Sequence, residues 1–466
     1  MDKEAFKKYG RELVDWIAEY FDNIEDYPVK SRVEPGVVKK QLPASFPGQG
    51  EVTDTIIEDF KRIIMPGISH WQHPGWFAYF PANNSPVSVL AEMLTAGLGV
   101  QGMIWDTSPA ATELEEVVMN WLRDMVGLPA GFSGVIQDTA STATLCALLS
   151  AREKVTAFEV NQKGFDKTLR VYTSSQTHSS IEKGVKIAGF GRQNLVYVDV
   201  DENFALKPGM LQKAIEEDLQ KGFVPCCVVA TLGTTSSMAM DPVGEIAGIC
   251  RQYGIWLHVD AAFAGTAAIA PEFRGFMQGT HKADSFVFNP HKWMLTNFDC
   301  SAYFVKEPEI LKRTFSIMPE YLKTAADEKV NNYRDWGIPL GRRFRSLKLW
   351  FVIRYYGQEG IAAMVRKHVD LAQKFASWLR DMPGYEILAP VNLSLVCFRY
   401  RKPGLDEASL NDFNKKLLAE INASGEVYLT HTVLNGKYCL RLSVGQRTTE
   451  ERHVRRVFEL LEDFVS

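Results

Sequence analysis

The sequence has no run near the roughly 18 uninterrupted apolar residues that a membrane-crossing helix needs. It has no C-x-x-C pair. Its seven cysteines (Cys146, Cys226, Cys227, Cys250, Cys300, Cys397 and Cys439) are odd in number, so neither a disulfide framework nor a zinc site is expected. It has little excess of either charge: 52 Lys and Arg against 56 Asp and Glu give a net charge of -4. That balance argues against a protein built chiefly to bind nucleic acid or an acidic membrane surface. No apolar signal-peptide core follows Met1-Asp2-Lys3-Glu4-Ala5, so a reduced, cytoplasmic protein is expected. Walker, H-E-x-x-H and G-x-S-x-G motifs are also missing, which removes the commonest phosphate-loop, zinc-protease and serine-hydrolase chemistries.

What is present is a folded globular composition, with 46% hydrophobic, 11% aromatic and 23% charged residues. At 466 residues the chain is about three times a typical domain, so two or three cooperating lobes are expected. Residues 1–85 carry Phe6, Leu13, Val14, Ile17, Tyr20 and Phe21 at helical spacing. A Pro/Gly-rich stretch and a second helical run over 53–64 follow. This reads as an N-terminal helical arm that must pack on another lobe or subunit. Residues 86–355 alternate short β-rich runs (134–137, 170–174, 194–198, 225–231, 255–259 and 285–288) with helical ones, the texture of an α/β lobe with a mainly parallel sheet. Residues 356–466 predict a small C-terminal α+β lobe, with strands at 393–400, 427–431 and 438–444.

In a parallel sheet, ligands bind beyond the carboxyl ends of the strands. After 285–288 comes Asn289-Pro290-His291-Lys292-Trp293, where a lysine in an apolar setting is a candidate amine nucleophile. The run 255–259 ends in Asp260-Ala261-Ala262, an aspartate that burial makes costly unless a cation such as a pyridinium meets it. Asp138-Thr139-Ala140-Ser141 opens an apolar helical run and suits an anion. His178 follows 170–174 and offers a flat partner for a planar ligand. Each has a plainer reading alone: a surface lysine, a turn aspartate, a helix cap, a satisfied histidine. Together they supply what pyridoxal 5′-phosphate needs.

These residues stand among longer stretches: His70-Trp71, Phe77-Ala78-Tyr79-Phe80-Pro81, Ser108-Pro109-Ala110, Thr231-Leu232-Gly233-Thr234-Thr235, His258-Val259-Asp260-Ala261-Ala262 and Gly341-Arg342-Arg343-Phe344-Arg345-Ser346-Leu347-Lys348. On them the chain resembles, over nearly its whole length, the group II pyridoxal-phosphate decarboxylases, specifically the aromatic-L-amino-acid decarboxylases. The resemblance implies a fold type I (aspartate aminotransferase-like) α/β enzyme. Its parts would be a dimerisation arm (1–85), a large cofactor domain (86–355) and a small α+β domain (356–466). It implies that Lys292 bonds the cofactor, Asp260 pairs with the ring nitrogen, His178 stacks on the ring and Ala262 packs on the opposite face. Thr139, Ala140, Ser141 and Asn289 would hold the phosphate, with Thr235 and His291 also at the cofactor. Trp71, Tyr79, Phe80, Pro81, Trp105 and Phe298 would form the substrate pocket with Gln101, Met103 and Gly341. Tyr321 would return a proton from a loop. A homodimer with the site at the subunit interface is implied, and no metal.

The implied reaction converts an aromatic L-amino acid to its arylalkylamine and carbon dioxide. Tryptophan or 5-hydroxytryptophan leads, because Gly341 matches a position where glycine leaves room for an indole; phenylalanine, tyrosine and DOPA stay in range. The alternative is an aromatic acetaldehyde synthase. In that subfamily the loop tyrosine is typically phenylalanine, or the stacking histidine asparagine, so Tyr321 and His178 favour plain decarboxylation. Transamination would call on Arg441, which reads as structural in its apolar strand. A catalytically dead scaffold is disfavoured because every catalytic position holds a competent residue.

Overall fold

The computed structural model describes residues 1–317 and 329–465. Two sheets organise the chain. The larger has seven strands: β1 (Ser133–Gln137), β2 (Leu169–Ser174), β3 (Leu195–Val198), β4 (Val224–Thr231), β5 (Trp256–Asp260), β6 (Ser285–Phe288) and β7 (Ser301–Val305), in the order β1-β7-β6-β5-β4-β2-β3. β6, β5, β4, β2 and β3 run parallel, while β7 is antiparallel to both β6 and β1. Reversing twice restores direction, so β1 also ends on the edge where the parallel strands end. The six predicted strands lie here. β7 was not predicted, although Ser301-Ala302-Tyr303-Phe304-Val305 is buried throughout, because the apolar run follows Lys292 with only a short break.

β4, β5 and β6 are buried along almost their entire length, as expected of parallel strands covered on both faces. Helix Ala140–Val155 follows β1, with Thr139 as its N-cap accepting from the Thr142 N–H. Helix Pro86–Leu98 starts in a Ser85–Ser88 capping box with Pro86 at its first position, and ends at left-handed Gly99. Gly97-Leu98-Gly99-Val100-Gln101-Gly102 spells the dinucleotide pattern G-x-G-x-x-G, but it closes this helix and follows no strand, so it is not that fingerprint.

The second sheet, β8 (Tyr385–Ile387), β9 (Leu395–Tyr400), β10 (Thr430–Leu434) and β11 (Lys437–Ser443), is antiparallel in the order β10-β11-β9-β8. β10 starts three residues later than the predicted 427–431. The reason is tertiary: Tyr428 pairs instead with Trp76 of the N-terminal segment, donating its N–H to Gly75 and accepting from Phe77. The long run Arg345–Asp381 joins the two sheets as two helices meeting at Gly357, whose φ of 64° and ψ of 176° only glycine adopts readily. Helix Lys3–Asp22 buries none of its residues in this chain. Among the described residues no helix is long and apolar enough to cross a membrane.

Candidate active site

Lys292 sits in the short helix Pro290–Trp293 directly after β6, and Asp260 ends the neighbouring β5. Both line a cavity of about 240 Å³ at the carboxyl edge of the sheet. Burial pulls the Lys292 pKa below the usual lysine value, opposed by the charge of Asp260. Burial pushes the Asp260 carboxyl up, opposed by Lys292, by the Ala262 N–H donating at 3.0 Å and by His178. A carboxylate so placed calls for a cationic partner in the cavity.

His178 lines the same cavity. Its Nδ1 accepts from the Ser180 N–H at 3.2 Å and lies 2.8 Å from Ser180 Oγ. An accepting Nδ1 leaves the proton of the neutral ring on Nε2. Burial, and then Lys292, lower the His178 pKa and favour that neutral form. His291, also at the cavity, accepts at Nδ1 from the Cys300 N–H (2.9 Å), and burial takes its pKa down to about 3.

Thr139, Ala140 and Ser141 line the cavity from the start of helix Ala140–Val155. The first amides of a helix have no intrahelical partner and attract an anion. Asn289 Oδ1 accepts from Ser301 Oγ at 2.6 Å, which leaves its Nδ2 as a donor. Thr235 and Ala262 complete the predicted cofactor set at this cavity. Ser180, Thr231, Gly233 and Phe263 line it as well and were not singled out. Thr231 and Gly233 lie within a stretch already noted, and counting onward from His178 and from Asp260 would have found Ser180 and Phe263.

The predicted aromatic residues divide. Phe80 and Phe298 line the cavity. Phe80 stacks on Phe263 (4.2 Å between centroids), Phe263 stacks on Trp293 (4.4 Å), and the Lys292 Nζ stands 5.6 Å from the Phe80 centroid. Trp71 and Tyr79 stack on each other at 6.0 Å outside the cavity wall, and Pro81 packs where Gly445 has no Cβ. Gln101, Met103, Trp105 and Gly341 gather elsewhere in this chain: Arg342 N–H donates to Gln101 Oε1 (2.7 Å), Arg334 N–H to Met103 O (2.9 Å), and Trp105 N–H to Asn332 Oδ1 (2.9 Å). None of the four lines the Lys292 cavity of its own chain. Tyr321 lies outside the described residues. Arg441 is buried, donating from Nε to Ser236 O and from Nη1 to Thr430 Oγ1.

The groups present fit pyridoxal 5′-phosphate: an amine that burial favours unprotonated, an anion able to keep a proton on a ring nitrogen, and phosphate donors, all on one sheet edge. With the strand order described above, this makes the protein a fold type I pyridoxal-phosphate enzyme. The pyridoxal-dependent decarboxylase conserved domain matches residues 35–401, and the chain belongs to that family and is a decarboxylase. It is 45% identical to the aromatic-L-amino-acid decarboxylase of Mus musculus, covering 100% of this chain and 98% of that one. It is 44% identical to a phenylacetaldehyde synthase of Arabidopsis thaliana, covering 100% and 97%. Its fold superposes on the crystal structure of Oryza sativa TDC with PLP and tryptamine with a TM-score of 0.96 at 35% identity, covering 99% and 98%.

Proposed function

We propose that this enzyme removes the α-carboxylate of an aromatic L-amino acid as carbon dioxide and releases the arylalkylamine. The observation that carries this reading is the meeting of Lys292, Asp260 and His178 with the aromatic rings of Phe80 and Phe298 at one cavity. The names of the mouse and Arabidopsis relatives point to the same substrate class.

Pyridoxal 5′-phosphate, when bound, supplies an electron sink for the carbon that loses its carboxylate. Lys292 would provide the anchoring amine, its pKa lowered by burial. Asp260 holds a proton on the ring nitrogen. His178 and Ala262, which line the same cavity, would hold the ring. Thr139, Ala140, Ser141, Asn289 and the neighbouring Thr235 and His291 hold the phosphate end. Phe80 and Phe298 would give the substrate an apolar wall, and Tyr321 would return the proton to the reacting carbon.

The chain works, in this reading, as a homodimer in a reducing, cytoplasmic compartment. Its seven cysteines are buried and in no disulfide, which supports the compartment. The arm 1–85 leaves Phe6 69% and Leu13 39% exposed, an apolar face suited to a second copy. The Gln101–Gly341 cluster, set apart from its own cavity, would then complete the partner's substrate pocket. In this reading the cofactor domain 86–355 supplies the lining of the cavity, joined by Phe80 of the arm.

The test is product analysis with tryptophan, 5-hydroxytryptophan, DOPA, tyrosine and phenylalanine. One amine and one carbon dioxide per substrate are expected. Arylacetaldehyde, ammonia and hydrogen peroxide as the main products would establish the acetaldehyde-synthase alternative and overturn this reading.

A further inference from the structure

Asn83 is buried (1% exposed) where three distant segments meet. Its Nδ2 donates to the carbonyl of Lys292 at 2.7 Å and to the carbonyl of Gly445 at 2.6 Å. Its Oδ1 accepts from the N–H of Arg447 at 3.1 Å, and its own N–H donates to the carbonyl of His291 at 3.1 Å. Two carbonyls can be met only by the amide nitrogen and an N–H only by the oxygen, so the carboxamide has one possible orientation.

The segment around it is held as firmly. Ser85 Oγ donates to the Leu295 carbonyl (2.8 Å), and Gln72 Nε2 donates to the Ala82 carbonyl (2.7 Å) while its Oε1 accepts from the Asn84 N–H (3.0 Å). The four-residue helix Pro290–Trp293 is too short to satisfy its own last carbonyls. The Lys292 carbonyl is one of these, and Asn83 meets it.

We propose that Asn83 is a positioning residue for the amine of Lys292. It fixes the peptide from which that side chain starts and ties it to the 445–447 loop of the small lobe. A lysine reaches its target through four rotatable bonds, so a shift at its root is carried to Nζ. Asn83 does not line the cavity and acts only through this peptide. The proposal rests on Lys292 being the cofactor-bearing amine and is independent of which amino acid is the substrate.

The experiment compares holoenzyme with Asn83→Ala and Asn83→Ser, which keeps one donor. It measures melting temperature, the pH titration of the cofactor's visible absorbance, and kcat and KM per loaded site. The expected result for Asn83→Ala is a displaced titration midpoint and a kcat lower by about tenfold to a hundredfold with KM nearly unchanged. Asn83→Ser should fall between Ala and wild type. A lower melting temperature with wild-type midpoint and wild-type kcat per loaded site would overturn the proposal. If Asn83→Ala does not fold, Asn83→Ser decides by the same criteria. With Asn83 intact, a visible band that survives Lys292→Ala would instead overturn the assignment of Lys292.

Discussion

At Lys292 burial penalises the ammonium form, and at Asp260 it penalises the carboxylate, so each resists the charge that the other encourages. Removing the anion should therefore lower the Lys292 pKa further and leave a ring nitrogen without its partner. Asp260→Asn is expected to reduce kcat by roughly a hundredfold to a thousandfold; wild-type turnover would remove Asp260 from the mechanism. Gln101 sets a second expectation. Its Oε1 is committed to the Arg342 N–H, and a Cβ on Gly341 would stand only 3.1 Å from its Nε2, so glycine leaves the amide's donor uncrowded. A donor can meet a ring oxygen but not an indole N–H. In the proposed dimer, kcat/KM for 5-hydroxytryptophan should exceed that for tryptophan by about tenfold, the worth of one hydrogen bond. Gln101→Leu should erase the difference, and equal values in the wild type would refute it.

Between elements, the N-terminal segment is seated on the C-terminal helix Glu451–Val465 by acid-sensitive contacts. Burial lowers the pKa of His70, of His453, and of His73 to about 4. The unfolded chain binds these protons from pH 6.5 downward and the folded one does not, so stability is present above 6.5 and falls as pH drops toward 4. Glu25 acts at lower pH. Hydrogen bonds from Arg452 hold its carboxyl at about 2, so its contribution is present above 4.5 and lost as pH falls through 2. Melting temperature should decline between pH 6.5 and 4. His73→Gln, which keeps an acceptor for the Gly75 N–H that Nδ1 now meets at 2.9 Å, should flatten that decline. An unchanged slope would show that His73 is not one of the titrating groups. The strands were legible at this scale wherever an apolar run stood between breaks; β10 was displaced because Tyr428 pairs with the N-terminal segment and the Leu429 backbone bonds the Asn422 side chain.

For the whole molecule, helix Lys3–Asp22 is amphipathic yet has no fully buried residue in its own chain, while the four predicted pocket residues Gln101, Met103, Trp105 and Gly341 gather away from their own cavity. The proposed second copy would account for both. Sedimentation should give a species of twice 52.5 kDa. The double substitution Phe6→Asp and Leu13→Asp should dissociate it, with turnover lost in parallel. A fully active 52.5-kDa monomer would rule out the shared site.

By itself the sequence determined the α/β class, six of the seven strands of the main sheet and the chemistry at their ends. Apolar runs of strand length and the polar residue that follows each are local signals. Lys292, Asp260, His178 and the Thr139–Ser141 turn were legible for that reason. Only the tertiary structure decided that Phe80 and Phe298 reach the cavity while Trp71, Tyr79 and Gln101 do not. It alone brought Asn83 to the carbonyls of Lys292 and Gly445, 209 and 362 residues away. Such contacts depend on how two sheets pack across a threaded segment, and no local periodicity records that distance.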